Sequence, residues 1–140
     1  MALPTHIQLQ IVSADRSLAN ERVDEVEIPG ADGYFGVLPG HTPLLALLGA
    51  GELWYRQGQD KHYLAIAFGF AEIQPDRVTI LAQVAERPED IDVARAEAAR
   101  KRAEERMTRP VADMDFERAR ISLMKALIRL QVASRARVRS

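Results

Sequence analysis

The chain changes its repeat at Pro88. Before that proline, Ile7, Leu9 and Ile11 alternate with polar neighbours, as do Val78, Ile80 and Ala82, which is the period of half-buried strands. After it, residues 91–107 and 116–136 are rich in helix formers, with apolar residues three and four apart. A period of two and a period near 3.6 cannot belong to one kind of element, so the sequence predicts an α+β protein, mainly β. Residues 1–87 make the sheet domain and residues 88–140 a helical hairpin. Charge breaks at the same place: 6 Lys/Arg face 11 Asp/Glu in residues 1–87, against 13 and 9 in residues 88–140. An acidic strand domain therefore carries a basic helical arm, an asymmetry that the total of −1 conceals.

The strand signals are short and regularly punctuated. They cover residues 7–12, 22–28, 44–48, 52–56, 61–67, 70–73 and 77–84, with residues 14–20 as a polar connection. Turn residues at Gln57-Gly58-Gln59-Asp60 and Gln74-Pro75-Asp76 favour hairpins, and many short strands with such spacing predict a sandwich or barrel. Gly30, Gly33, Gly36, Pro39, Gly40 and Pro43 exclude a long helix and imply consecutive tight turns, within which Tyr34, Phe35 and Leu38 are expected to be exposed.

In the arm, Pro88, Glu89, Asp90 and Asp92 suit a helix start, Thr108-Arg109-Pro110 ends the first helix, and Asp113 or Asp115 caps the second. Ala94, Ala98, Ala99 and Ala103 leave room for a close neighbour. The second helix carries the stripe Phe116, Ala119, Leu123, Ala126, Leu127, Leu130 and Ala133.

Several chemistries are disfavoured. With no cysteine there is no disulfide or thiolate metal site, and no stretch approaches the roughly 20 apolar residues of a membrane helix. His6, His41 and His62 are scattered and lack the spacing of a metal motif. No nucleophile elbow is present, and the glycine run is followed by His41-Thr42-Pro43 where a phosphate loop needs Gly-Lys-Ser/Thr. A small hydrolase is therefore the weakest reading, and a non-catalytic protein-binding module a stronger one. The basic tail lacks interleaved aromatics, which argues against nucleic acid. Asp92, Arg95 and Arg102 lie on neighbouring turns of the first helix with Glu86 just before it, and a closed hairpin would bring Lys125 and Arg129 near them. Spacing alone does not separate a triphosphate site from ordinary intrahelical ion pairs.

Three segments in order, Gly33-Tyr34-Phe35-Gly36-Val37-Leu38-Pro39-Gly40-His41-Thr42-Pro43, Gly69-Phe70-Ala71-Glu72-Ile73 and Val78-Thr79-Ile80-Leu81-Ala82 with Ala85-Glu86, resemble the ε subunit of bacterial and chloroplast F-type ATP synthases. The resemblance spans essentially the whole chain. Ile91-Asp92-Val93-Ala94-Arg95-Ala96 is similar to the Ile/Leu-Asp-x-x-Arg-Ala motif through which some bacterial ε subunits bind ATP.

This resemblance implies a ten-stranded antiparallel β-sandwich followed by two helices, in a non-catalytic subunit of the central rotor stalk. The sandwich would bind the γ subunit and the c-ring, with Tyr34, Phe35, Leu38 and His41 on the c-ring side. The helices would extend into the head of catalytic β and α subunits and block ATP hydrolysis, with Arg129, Arg135 and Arg137 as the basic contacts. No cofactor is required, and ATP would act as a regulatory ligand of the folded hairpin. Its site, carried over, is Glu86, Ile91, Asp92, Arg95, Ala96, Arg102 and Arg129, with Lys125 where strong binders have a second arginine. A lysine keeps the charge and loses the two-pronged geometry. The membrane would be reached only through the complex, at the cytoplasmic face of a bacterial plasma membrane or at a thylakoid membrane.

Overall fold

The computed structural model describes residues 3–108 and 113–138. Seven strands run β1 (Ile7–Val12), β2 (Ser17–Val23), β3 (Glu25–Gly30), β4 (Gly33–Val37), β5 (Leu44–Gln57), β6 (Asp60–Ile73) and β7 (Arg77–Glu86). A 3-10 turn at Pro88–Asp90 leads to α1 (Val93–Thr108) and α2 (Asp113–Val138). The first helix runs to Thr108, and Arg109 and Pro110, expected to end it, lie outside the described residues.

The strands form one sheet in the order β2-β1-β7-β6-β5-β3-β4, folded over so that its inner face encloses the core of a β-sandwich. Alternation does the sorting. Ile7, Leu9 and Ile11 of β1, Val26 and Ile28 of β3 and Val78 and Ile80 of β7 are fully buried, and each such side chain contributes roughly 1.5–3 kcal/mol.

Seven strands stand where ten were expected, and two of the missing three are accounted for because the chain bends at two places without breaking. Residues 44–48 and 52–56 are one strand, β5, as are residues 61–67 and 70–73 in β6. Along β3 and β5 the register steps from Glu27 opposite Trp54 to Gly30 opposite Leu48, a bulge that turns β5 through the corner of the sandwich. Gly51 is required in that bulge, since a Cβ there would meet the Tyr34 hydroxyl at 2.4 Å and Pro29 at 2.6 Å. In β6 the bend falls at Phe68 and Gly69, with φ of 62° and 123°, and a Cβ on Gly69 would lie 2.0 Å from the Leu81 carbonyl oxygen.

The sheet is also not wholly antiparallel, since β1 pairs in parallel with β7. Two local expectations are corrected as well. Residues 17–23 form a strand, with Leu18, Ala19 and Val23 buried, and the chain kinks at Asp24 before β3 begins. The kink is held by the Asp24 carboxylate, which accepts the Gly58 N–H at 2.7 Å. The glycine-rich segment contains strand β4, paired with β3 from Val26↔Val37 to Gly30↔Gly33, so turns are confined to its two ends.

The hairpin lies on the sandwich. Small residues on both helices, Ala96 and Ala103 of α1 and Ala119 and Ala126 of α2, are buried and permit close approach. Ala94 and Ala98, expected at that contact, are exposed, as is Leu127. A second face of α2, carrying Ile128, Val132 and Ala133, packs with Ile91 against Ala65 of β6. The predicted stripe thus reaches the sheet-facing side at Ala133 and misses Ile128 and Val132 there.

Candidate functional site

The start of α1 builds one wall of a cleft. Asp92 caps the helix: its carboxylate accepts the Arg95 N–H at 3.0 Å and its carbonyl accepts the Ala96 N–H at 3.0 Å. That cap fixes Arg95 one turn above the 3-10 turn, with Arg102 two turns further along. Arg129 of α2 supplies the opposite wall. The resulting cavity of about 370 Å³ is lined by Glu86, Asp90, Asp92, Arg95, Ala96, Ala99, Arg102 and Arg129. That volume falls within the range of small-ligand pockets.

The electrostatics divide the three arginines. Arg129 Nε donates to Glu86 Oε1 at 2.5 Å, and both side chains are about a quarter to a third exposed. Among the described residues, Arg95 and Arg102 have no ion-pair partner, so two uncommitted guanidiniums face the cleft. Such groups hold anions of phosphate or carboxylate type. Arg16 of the β1–β2 loop reaches Asp90 at 3.4 Å and ties that rim to the sandwich.

Six of the eight residues expected at a nucleotide site therefore line one cavity: Glu86, Asp92, Arg95, Ala96, Arg102 and Arg129. Ile91 is buried in the seam behind it. Lys125 does not line it; its ammonium lies 5.8 Å over the Phe68 ring. Asp90 and Ala99 line the cleft and were not anticipated.

The glycine-rich loop presents Tyr34 and Leu38, each more than half exposed. Phe35, expected outside, packs against the core. The Tyr34 hydroxyl accepts the Glu52 N–H at 3.0 Å, closing the bulge of β5, while the ring face stays in solvent. His41 Nδ1 donates to the Thr42 carbonyl at 2.6 Å.

Beside this loop lies a surface that strand alternation does not predict. Leu45, Leu47, Phe70 and Leu81 are each at least half exposed, and Leu47, Phe70 and Leu81 stand opposite one another across β5, β6 and β7. The signal was available in Leu44-Leu45-Ala46-Leu47-Leu48, which is apolar on both faces of a strand that needs only one for the core.

On the arm, Arg135 engages Glu52: Nη2 donates to Oε1 at 2.7 Å and Nε to Oε2 at 3.3 Å. Its guanidinium lies 4.1 Å over the Tyr63 ring. The hydrogen bond to Glu52 raises the Arg135 pKa, so the group stays charged. The Arg137 side chain lies outside the described residues.

Fold and cleft together define a β-sandwich carrying a closed helical hairpin, with an arginine-lined cavity in the hairpin and an apolar outer face on the sheet. Comparison with known proteins places this architecture. Residues 6–88 match the family model of the ATP synthase Delta/Epsilon chain, beta-sandwich domain, and residues 89–134 match that of the long alpha-helix domain. The chain belongs to the ATP synthase delta/epsilon chain family. It is 48% identical over 129 residues to the ATP synthase epsilon chain of Syntrophobacter fumaroxidans, covering 92% of this chain and 96% of that one. It is 42% identical over 133 residues to the ATP synthase epsilon chain of Solibacter usitatus, covering 95% and 99%. Among solved structures it resembles a chain of the Euglena gracilis mitochondrial ATP synthase, OSCP/F1/c-ring in rotational state 1, with a TM-score of 0.82 and 26% identity, covering 95% of this chain and 84% of that one. No helix of the described residues is long and apolar enough to cross a membrane.

Proposed function

We propose that this chain works as a non-catalytic ε subunit in the central stalk of an ATP synthase, with its hairpin as a nucleotide-sensing arm that restrains ATP hydrolysis. The apolar row Leu45, Leu47, Phe70 and Leu81 is the face for the γ subunit, since a patch of this kind on a sheet needs a partner to cover it. The adjoining loop with Tyr34 and Leu38 meets the c-ring, which puts the complex at a membrane that the chain itself does not enter. The arm, when extended, places its basic residues among the catalytic subunits.

One observation carries the regulatory part. Arg95 and Arg102 of one helix and Arg129 of the other face a single cavity, and two of the three lack a carboxylate partner among the described residues. Separating the helices would disperse this set, so ATP binds the closed form and opposes extension by its differential affinity for the two states. The test is calorimetric titration of ATP into the full-length chain, with copurification of γ and c-ring subunits as a second measurement. Heat of binding that disappears in an Arg95→Ala, Arg102→Ala double variant supports the arm as a sensor. Absence of heat at millimolar ATP removes the sensor and leaves the stalk role to the copurification result.

A further inference from the structure

Glu52 is the one buried charged residue among those described, with 7% of its surface exposed. A carboxylate removed from water is strongly destabilising unless matched, and the match here comes from the far end of α2. Arg135 meets it with a two-pronged contact and lies over the Tyr63 ring, 4.1 Å from its centre, so one guanidinium satisfies the carboxylate and contacts an aromatic side chain of the same sheet. The apolar seat beside this contact is small. Its buried members are Ala65, Ile91, Ile128, Val132 and Ala133, with Val93 packed against them, and two of the five are alanines with little area to bury. Docking of the arm therefore draws on polar contacts as well, this one at the far end of α2 and Arg129 with Glu86 nearer the cleft. Arg135 also stands six residues beyond Arg129, about 9 Å along the helix axis, which separates it from the arginine-lined cleft.

We infer that Glu52, Arg135 and Tyr63 form a latch that sets how often the hairpin leaves the sandwich, acting apart from the cleft in which a nucleotide would bind. This rests on the reading of the hairpin as a movable arm. Glu52 is the informative member, because it belongs to the sandwich and can be changed without altering the charge of the arm.

The absence of cysteine makes a direct test simple. Ala133→Cys places a thiol in the seam, at a position that is 4% exposed in the docked hairpin, and its alkylation rate in the full-length chain without nucleotide reports opening. Ala71→Cys in the sandwich core, in a separate chain, reports unfolding of the sandwich itself. Glu52→Gln is expected to speed alkylation at 133 about tenfold, the scale of a hydrogen bond to a charged group, and to leave the rate at 71 unchanged. Arg135→Gln should act similarly, and the double variant should add little to either single one, because the two residues serve one contact. Tyr63→Leu should give a smaller increase. A control, Val132→Asp, spoils the apolar seat alone. If Val132→Asp speeds alkylation and Glu52→Gln leaves it within twofold, or if the Glu52 and Arg135 effects multiply, the latch is wrong. If Val132→Asp has no effect either, the hairpin does not open and the movable-arm reading falls with the latch.

Discussion

Arg129 of α2 reaches back to Glu86 at the end of β7, Nε to Oε1 at 2.5 Å, so the cleft in the hairpin is closed by a contact with the sandwich. This pair engages Arg129 through its Nε and leaves Arg95 and Arg102, without an ion-pair partner among the described residues, to meet an incoming anion. Arg95→Ala and Arg102→Ala are each expected to weaken ATP binding about tenfold by calorimetry, the loss of one charge-assisted contact. Lys125→Arg should change affinity by less than about twofold, because the ammonium lies against Phe68 and outside the cleft. A large gain from Lys125→Arg would mean that the helices rearrange when nucleotide enters.

The sandwich encloses its own core, drawn from all seven strands, and the hairpin touches it through a separate small cluster. A chain ending at Arg87 is therefore expected to fold. Arg87 should be kept, since its guanidinium donates to the Leu18 carbonyl and ties β7 to β2. Circular dichroism should show a cooperative β transition at a lower Tm than in the full chain, because Glu52 loses its counter-charge. Loss of the transition would show that the helices belong to the core.

The outer face gives a sharper contrast between partners. Leu47→Asp and Phe70→Asp change exposed residues, so the isolated protein should keep its Tm within a few degrees while copurification of γ fails. Leu38→Asp, on the loop, should spare the γ complex and weaken association with the c-ring. If both sets gave the same loss, the two surfaces would act as one.

Much of this architecture is written in local sequence. The alternation of Ile7, Leu9 and Ile11 and the Pro88 boundary follow from side-chain period and proline chemistry, and both depend on neighbours in the chain. The bends in β5 and β6 look like strand ends in the sequence, because Gly51 and Gly69 also suit turns and only the close approach of Tyr34 and Leu81 shows their use. The cleft is legible through the likeness of Ile91-Asp92-Val93-Ala94-Arg95-Ala96 to a family motif, since the spacing of Asp92, Arg95 and Arg102 alone fits ordinary ion pairs equally well. Glu52 was invisible, since nothing in Gly51-Glu52-Leu53 tells that an arginine 83 positions later lies over it. Contacts between distant elements carry no periodicity, and the position of Lys125 against Phe68 is hidden for the same reason: helix phase alone does not fix which side of α2 faces α1.

Alkaline pH probes the core directly. Tyr55 is buried, and burial first, with the nearby Glu21 carboxylate second, pushes its pKa from 10.0 up to about 12. Because the folded value is raised, the unfolded chain releases this proton first, so the contribution to stability is complete below pH 10 and is lost as pH rises to about 12. Wild type should therefore lose Tm faster than Tyr55→Phe across that interval, the other tyrosines and lysines being common to both. Parallel losses would place the Tyr55 hydroxyl in a more polar setting.

Arg135 has opposite duties in the two positions of the arm, and this shapes the outcome in the assembled enzyme. Docked, it binds Glu52; extended, in the proposed function, it joins Arg129 and Arg137 against an acidic catalytic surface. Glu52→Gln removes the hold and keeps every arm charge, so ATP hydrolysis should fall as the extended population grows. Neutralising Arg129, Arg135 and Arg137 together also frees the arm, yet it strips the charge that would bind it, and hydrolysis should rise. Exposed ion pairs contribute only about 0–1 kcal/mol each, so the three are changed together. The decisive measurement adds Glu52→Gln to the triple variant. With Arg135 already gone, Glu52 has no latch to release, and its substitution should leave hydrolysis where the triple variant set it. A further fall would show that Glu52 acts through some route other than Arg135.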